Sequence, residues 1–237
     1  MKTRIIVFVL GLLIGSAAWA NEIYIDQIGD SLDLDITQDG QDNQFGDSVT
    51  DVTLSGANMT FAITQTGNGN DIAAVIKGVT YTGTWSFTGN YNTVDLLCSS
   101  AATGNCDTVT LNVSTTGDSN TYDFDIGETA DASSSNVSFT VTGDNNVIAS
   151  TIDGVSAAVS VTLDNSASLA TTSANTDEGN NVDIDITGNG DTVGHTVTLD
   201  VTGGGSTYTI NQSGIYDNTV DATFNGDSQD VDITQSD

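Results

Sequence analysis

Carboxylates are the most numerous chemically active groups in this chain, and they recur at alternate positions. Aspartate pairs occur at Asp33–Asp35, Asp123–Asp125 and Asp183–Asp185, each interleaved with apolar residues. Alternate residues of a β-strand face the same side, so each pair is expected to project from one solvent-facing surface. Carboxylate pairs suit acid–base hydrolysis of glycosides, and hard carboxylate oxygens suit calcium.

Neither chemistry has specific support in the sequence. Aspartate is abundant throughout the chain, and no EF-hand loop or glycine-rich calcium repeat accompanies the pairs. We therefore interpret the carboxylates as a solvated face that opposes lateral association. We expect no cofactor and no metal site, and binding of divalent cations such as calcium is kept as an alternative.

Histidine and cysteine, the usual catalytic side chains, are almost absent. The single histidine, His195, shares the parity of its apolar neighbours Val193 and Val197, which predicts a core or edge position. No nucleophile elbow accompanies it, so we predict that the chain is not an enzyme. Cys98 and Cys106 bracket a short polar segment, where a disulfide would close a loop, and free buried thiols are the alternative.

The charge balance excludes several classes of partner. The chain has 32 acidic and three basic residues, for a formal net charge of −29. Nucleic acids and anionic membranes both require lysine or arginine at the contact, so neither is an expected partner. After residue 20, no segment approaches the roughly 18 apolar residues of a membrane-spanning helix.

Residues 1–20 have the pattern of a secretory signal peptide. Lys2 and Arg4 precede the apolar run Ile5–Ile14, and Ala18–Ala20 resembles a small-x-small cleavage site. We predict a mature protein from Asn21 that is secreted and stands outside the reducing cytoplasm. The leader is expected to lie outside the fold.

The rest of the chain alternates apolar and polar residues and predicts an all-β protein of short strands. Clusters rich in glycine and asparagine separate the strands, and successive Gly-x-x-Asn turns lie 22 to 28 residues apart. A repeat of this length with two strands predicts a single β-solenoid of stacked strand–turn–strand rungs. Irregular loop insertions are expected near Cys98–Cys106, Thr129–Asn136 and Asn165–Asn181.

Amide side chains share the parity of the apolar residues, so they are expected to point inward and to pair between stacked rungs. The predicted ladder residues are Gln27, Gln38, Asn43, Gln65, Asn70, Asn92, Asn120, Asn146, Gln212 and Gln235. The predicted turn glycines are Gly29, Gly40, Gly67, Gly89, Gly117, Gly143 and Gly214. The absence of proline agrees with strands that use nearly every backbone N–H.

These motifs resemble curlin repeats, whose pattern is I-x-Q-x-G-x-x-N-x-φ-x-φ, where φ stands for an apolar residue. The resemblance rests on Ile25–Gly29, Ile36–Asn43 and Ile63–Asn70. It is clearest over residues 21–76 and 208–237, and degenerate over 77–207.

The resemblance implies a secreted subunit that polymerises head to tail into amyloid-like fibres on a bacterial surface, for adhesion and biofilm matrix. It also implies a nucleator or partner subunit and a dedicated secretion pore. The alternative function is a monomeric, acidic, calcium-dependent adhesin or surface-layer-like binding module.

Overall fold

A computed structural model describes residues 4–9 and most of the chain from residue 22 onward. The described residues are 4–9, 22–40, 43–46, 52–67, 69–98, 106, 108–127, 134–143, 145–154, 156–164, 179–187, 194–203, 205–214, 218–226 and 228–236.

The strands form two parallel sheets around one core. Within the described residues, sheet A has nine strands in the order β1 (Arg4–Val9), β4 (Asp33–Asp39), β7 (Met59–Thr66), β9 (Tyr81–Thr88), β11 (Val109–Thr116), β13 (Ser135–Thr142), β15 (Ala157–Asp164), β17 (Thr196–Thr202) and β19 (Thr219–Asn225).

Over the same described residues, sheet B has eleven strands. Its main order is β2 (Glu22–Ile23), β5 (Gln44–Phe45), β8 (Asp71–Lys77), β10 (Thr93–Cys98), β12 (Thr121–Ile126), β14 (Val147–Asp153), β16 (Asn181–Thr187), β18 (Thr207–Ser213) and β20 (Asp230–Ser236). The short strands β3 (Asp26–Ile28) and β6 (Val52–Ser55) continue β2 and β5, and they pair with each other.

The chain alternates between the sheets, so that one strand of sheet B and the next strand of sheet A make one rung. The predicted all-β solenoid is therefore confirmed. Parallel register places like positions directly above one another; Val137, for example, lies between Leu111 and Val159. No helix occurs in the described part of the chain, and hence none that is long and apolar enough to cross a membrane.

The period-2 pattern explains which side chains enter the core. In β12, Tyr122, Phe124 and Ile126 are buried, whereas the intervening aspartates face outward. Such apolar columns run the length of the solenoid and form one hydrophobic cluster. Each large apolar side chain buried in this way contributes roughly 1.5–3 kcal/mol of transfer free energy.

Residues 4–9, which the sequence predicts to belong to a leader, form a strand of sheet A. Arg4–Val9 forms β1, which pairs with β4 from Arg4↔Asp33 to Val9↔Gln38. Its apolar, β-branched residues favour an extended conformation, and the edge of β4 supplies free backbone partners. Cleavage after residue 20 stays a prediction.

Two of the predicted insertions are shorter than expected at their C-terminal ends. Residues 135 and 136 belong to β13, and Asn181 begins β16. Residues 99–105, 129–133 and 165–178, which make up most of the three insertions, lie outside the described residues.

Candidate functional site: amide ladders and the two end edges

A ladder of asparagine side chains runs through the middle of the solenoid at the corner where each rung enters sheet B. Side-chain Nδ2 atoms donate to Oδ1 of the next rung at 2.8–3.1 Å. We call its members the corner asparagines: Asn70, Asn92, Asn120, Asn146 and Asn180. All five side chains are buried, so their hydrogen bonds form away from water.

The central amide of this ladder, that of Asn120, uses its full bonding capacity. Asn120 Nδ2 donates to Asn146 Oδ1 and to the Gly117 carbonyl, both at 2.8 Å. Its Oδ1 accepts from the backbone N and the Nδ2 of Asn92, at 3.0 and 2.8 Å. The side chain therefore joins three rungs and also satisfies a turn carbonyl, which is what a buried amide requires.

Glycines shape the turns that hold these asparagines. All seven predicted turn glycines have φ between 132° and 146°, a region that disfavours other residues. At Gly117 and Gly143 the stacking is also too close for a side chain, because a Cβ would overlap the carbonyl oxygen of the glycine one rung away. The turn glycines thus permit the rung spacing that the ladder needs.

The ladder extends further than the sequence predicts, because Asn180 falls within the predicted insertion Asn165–Asn181 but accepts hydrogen bonds from Asn146. Asn180 Oδ1 accepts from both nitrogens of Asn146, and its own backbone N donates to Ser206 Oγ at 3.0 Å. The parity of Asn180 with Val182, Ile184 and Ile186 was the available signal. At the other end, Asn43 Nδ2 donates to the carbonyls of Gly40 and Thr66.

The glutamines form two separate short ladders. In sheet A, Gln65 Nε2 donates to Gln38 Oε1 at 2.7 Å, and the next position in that column is Phe87. In sheet B, Gln235 Nε2 donates to Gln212 Oε1 at 2.9 Å.

Gln27 belongs to neither ladder, contrary to its prediction. Its register partner in β6 is Leu54, which offers no amide. Gln27 is half-buried, and its Nε2 donates only a long bond, 3.4 Å, to the adjacent Ile28 carbonyl. Its amide therefore lies at the outer edge of sheet B without a matching rung inside the chain.

The last rung of sheet B exposes side chains whose counterparts in the rung beneath it are buried. Val231 and Ile233 of β20 are 38 % and 42 % exposed, whereas Tyr208 and Ile210 directly beneath them are fully buried. Within the described residues, no strand pairs with the outer edge of β20. This edge presents free backbone groups together with an apolar row and Gln235.

The remaining candidate groups have structural surroundings. Cys98 and Cys106 form a disulfide with a Cα–Cα distance of 5.7 Å, and both are buried. His195 is fully buried, and its Nδ1 accepts from the Ala157 backbone N at 3.1 Å. Burial raises the pKa of the Tyr208 hydroxyl to about 12. All of these groups lie within the core of the solenoid.

The outward carboxylates are interleaved with neutral residues. In the described outer column of sheet B that contains Asp95 and Asp123, only these two are adjacent, and Ala149 separates Asp123 from Asp183. Burial raises the pKa of the Asp123 carboxyl above its ordinary value, and the Asp125 carboxylate adds to this effect. No group of three or more potential metal ligands occurs among the described residues.

No family model matches the chain, and no curated protein or solved structure matches it either.

Proposed function

We propose that this chain is a secreted structural subunit that assembles head to tail into extracellular amyloid-like fibres. One observation carries the proposal: the two ends of sheet B present the same apolar-x-apolar-x-Gln edge. The row at one end is Ile23, Ile25 and Gln27, and the row at the other end is Val231, Ile233 and Gln235. A surface at one end that fits a different surface at the other end adds copies without closing.

The internal register gives the junction a definite geometry. In β18 and β20, Tyr208 pairs with Val231 and Gln212 with Gln235. The same rule places Ile23 of a second copy over Val231, and Gln27 over Gln235. Gln27, which has no matching rung inside its own chain, then extends the Gln212–Gln235 ladder into the next copy.

Sheet B carries this junction. In the described chain, β1 occupies the position beside β4 in sheet A, one strand before β2 in the solenoid order. Once the leader is removed, that position is empty. One strand position in sheet A then stays unfilled between β19 and the β4 of the next copy. The junction therefore depends on the β20 edge and its three inward side chains.

The resemblance to curlin repeats agrees with this assignment and extends it. It supports roles in surface adhesion and biofilm matrix, export through a dedicated pore, and a nucleator or partner subunit. A non-enzymatic role also agrees with the structural environment of His195 and the cysteines.

Fibre formation is tested on the processed chain, from Asn21 onward. We expect thioflavin-positive fibres with a reflection at about 4.8 Å along the fibre axis, the strand spacing of a parallel stack. A chain that stays monomeric, and whose melting temperature rises strongly with calcium, would instead support a calcium-dependent adhesin.

A matched pair of variants tests the junction itself. Ile233→Lys places a charge in the inward row of β20, and Thr234→Lys places the same charge on the outward face of that strand. Ile233→Lys should abolish elongation and, at low ratios, terminate growing wild-type fibres, because it still offers a normal N-terminal end. Thr234→Lys should elongate normally. Equal elongation by the two variants would contradict the β20 junction.

A further inference from the structure

The outer face of sheet A carries a continuous uncharged surface, although the chain is strongly acidic. Outward positions of β7, β9, β11 and β13, with three from β15, hold only threonine, serine, asparagine and alanine. We call this surface the neutral face: Thr60, Ala62, Thr64, Thr66, Thr82, Thr84, Ser86, Thr88, Thr110, Asn112, Ser114, Thr116, Asn136, Ser138, Thr140, Thr142, Ala158, Ser160 and Thr162. Its side chains are exposed or partly exposed.

Sheet B has the opposite character over the same rungs. Asp71, Asp95, Asp123, Asp125 and Asp153 all project outward from β8, β10, β12 and β14. Two copies that approached through sheet B would therefore set carboxylates against each other, which costs free energy. Repulsion between like-charged molecules is weakest where neither surface carries charge.

We propose that the neutral face is a lateral interface, through which two copies of this chain pack sheet A against sheet A. Short threonine and serine side chains on a regular sheet can interdigitate into a dry, closely packed layer, with sheets about 10 Å apart. Their hydroxyl groups can bond across the layer without burying a charge. The sequence predicts a carboxylate face that opposes lateral association, and the neutral face lies outside it.

The size of the neutral face suits this role. Five strands at about 4.8 Å and eight residues at about 3.3 Å give roughly 24 by 26 Å, or about 600 Å² for each copy. A pair would bury about 1,200 Å², the lower end of the range for specific interfaces. The interface does not require head-to-tail growth, but in a fibre each added copy would supply another neutral face.

Sedimentation velocity of the purified chain tests the interface without depending on fibres. Thr84→Asp places a carboxylate within the neutral face, between Ala62 and Asn112 in register. Thr121→Asp makes the same change at an exposed position of sheet B, between Thr93 and Val147. We expect the wild-type chain and Thr121→Asp to dimerise alike. For Thr84→Asp, the dissociation constant of the dimer should rise at least about tenfold, because like charges then oppose each other across the interface.

Electron microscopy of fibres gives the second readout. Wild-type fibres should join laterally in pairs, whereas Thr84→Asp fibres should grow at the same rate and remain single. Thr84→Ser, which keeps the hydroxyl group, should give paired fibres like those of the wild type. If fibres fail to form, the proposed function fails, and the sedimentation result alone decides the lateral interface.

The other outcomes overturn the inference. A wild-type chain that is monomeric in solution and forms only single fibres has no lateral interface. Equal weakening by Thr84→Asp and Thr121→Asp would indicate a general charge effect. Binding of the neutral face to an insoluble polysaccharide, without pairing of copies, would assign the surface to a different partner.

Discussion

The inner and outer sides of sheet B differ in how like side chains are stacked from rung to rung. On the inner side, the corner asparagines repeat at consecutive rungs and bond to one another. On the outer side, the column through Asp95, Asp123, Ala149 and Asp183 has a neutral residue after its first pair of carboxylates. The rung spacing is the same on both sides. It brings like amides together on the inner side, whereas a neutral residue separates most of the carboxylates on the outer side.

The chemistry of the two groups explains the difference. A carboxamide has both donors and acceptors, so a copy one rung away is a complementary partner. An ionised carboxylate only accepts, and a copy directly opposite repels it. In a stacked fold, identical residues therefore stabilise the interior when they are amides and destabilise the surface when they are acids.

Breaking the inner ladder should have the largest effect. Asn120→Leu removes the donor to the Gly117 carbonyl and the acceptor of both Asn92 nitrogens, and these two nitrogens stay buried. We expect the free energy of unfolding in urea to fall by about 3–5 kcal/mol, as for a broken buried hydrogen-bond network.

The control is the same substitution on the outside. Asn112→Leu changes an exposed asparagine in β11 and should alter stability by less than about 0.5 kcal/mol. Equal destabilisation by the two substitutions would mean that the ladder contributes nothing beyond the general cost of replacing asparagine by leucine.

The strand faces of this molecule could be predicted from sequence, because a period of two residues determines which side chains face inward. That parity also placed Asn70 to Asn146 in the interior. The spacing between turns does not identify Asn180, because it lies 34 residues after Asn146. Parity is a local property, whereas spacing fails wherever a loop lengthens a rung.

Vertical neighbours could not be predicted in the same way. Leu54 lies nine positions after Phe45, whereas Gln27 lies four positions after Ile23, so the two rungs differ in length and Gln27 faces Leu54. The interleaving of carboxylates likewise depends on register across rungs of unequal length. The neutral face likewise depends on which strands share a sheet and on the register between them, and neither can be read from the sequence alone.

Extending the inner ladder should have a smaller, opposite effect. The ladder stops at Ser206, which leaves Asn180 Nδ2 and Gln229 Oε1 buried without hydrogen-bond partners. Ser206→Asn would supply an acceptor to the first and a donor to the second. We expect the free energy of unfolding in urea to rise by about 1 kcal/mol, the net value of a typical hydrogen bond.

Thr207→Asn is the matched control, because it adds an amide at the exposed neighbouring position of β18. It should leave stability unchanged. A loss of stability in Ser206→Asn would show that the corner cannot accept the larger side chain, and that serine is there for packing rather than as a shortened ladder member.

The smallest expected effect comes from the outer column. Asp123→Asn removes a carboxylate next to Asp95 in register and two residues from Asp125. It should stabilise the protein at neutral pH by roughly 0.2–1 kcal/mol, the range for cross-strand pairs. Ala149→Asp should have the opposite effect, because it joins the Asp95–Asp123 pair to Asp183.

The pH dependence of the stability gain in Asp123→Asn tests whether the gain arises from removal of the charge. Burial, with a further contribution from Asp125, raises the pKa of Asp123 in the folded state, so folding favours the protonated carboxyl. The advantage of Asp123→Asn should therefore be complete above the folded pKa and disappear as pH falls below the ordinary value near 3.8, because the carboxyl is then protonated in both states. Urea unfolding of both chains between about pH 3 and pH 7 measures this. A difference that persists at low pH would point to packing rather than to charge.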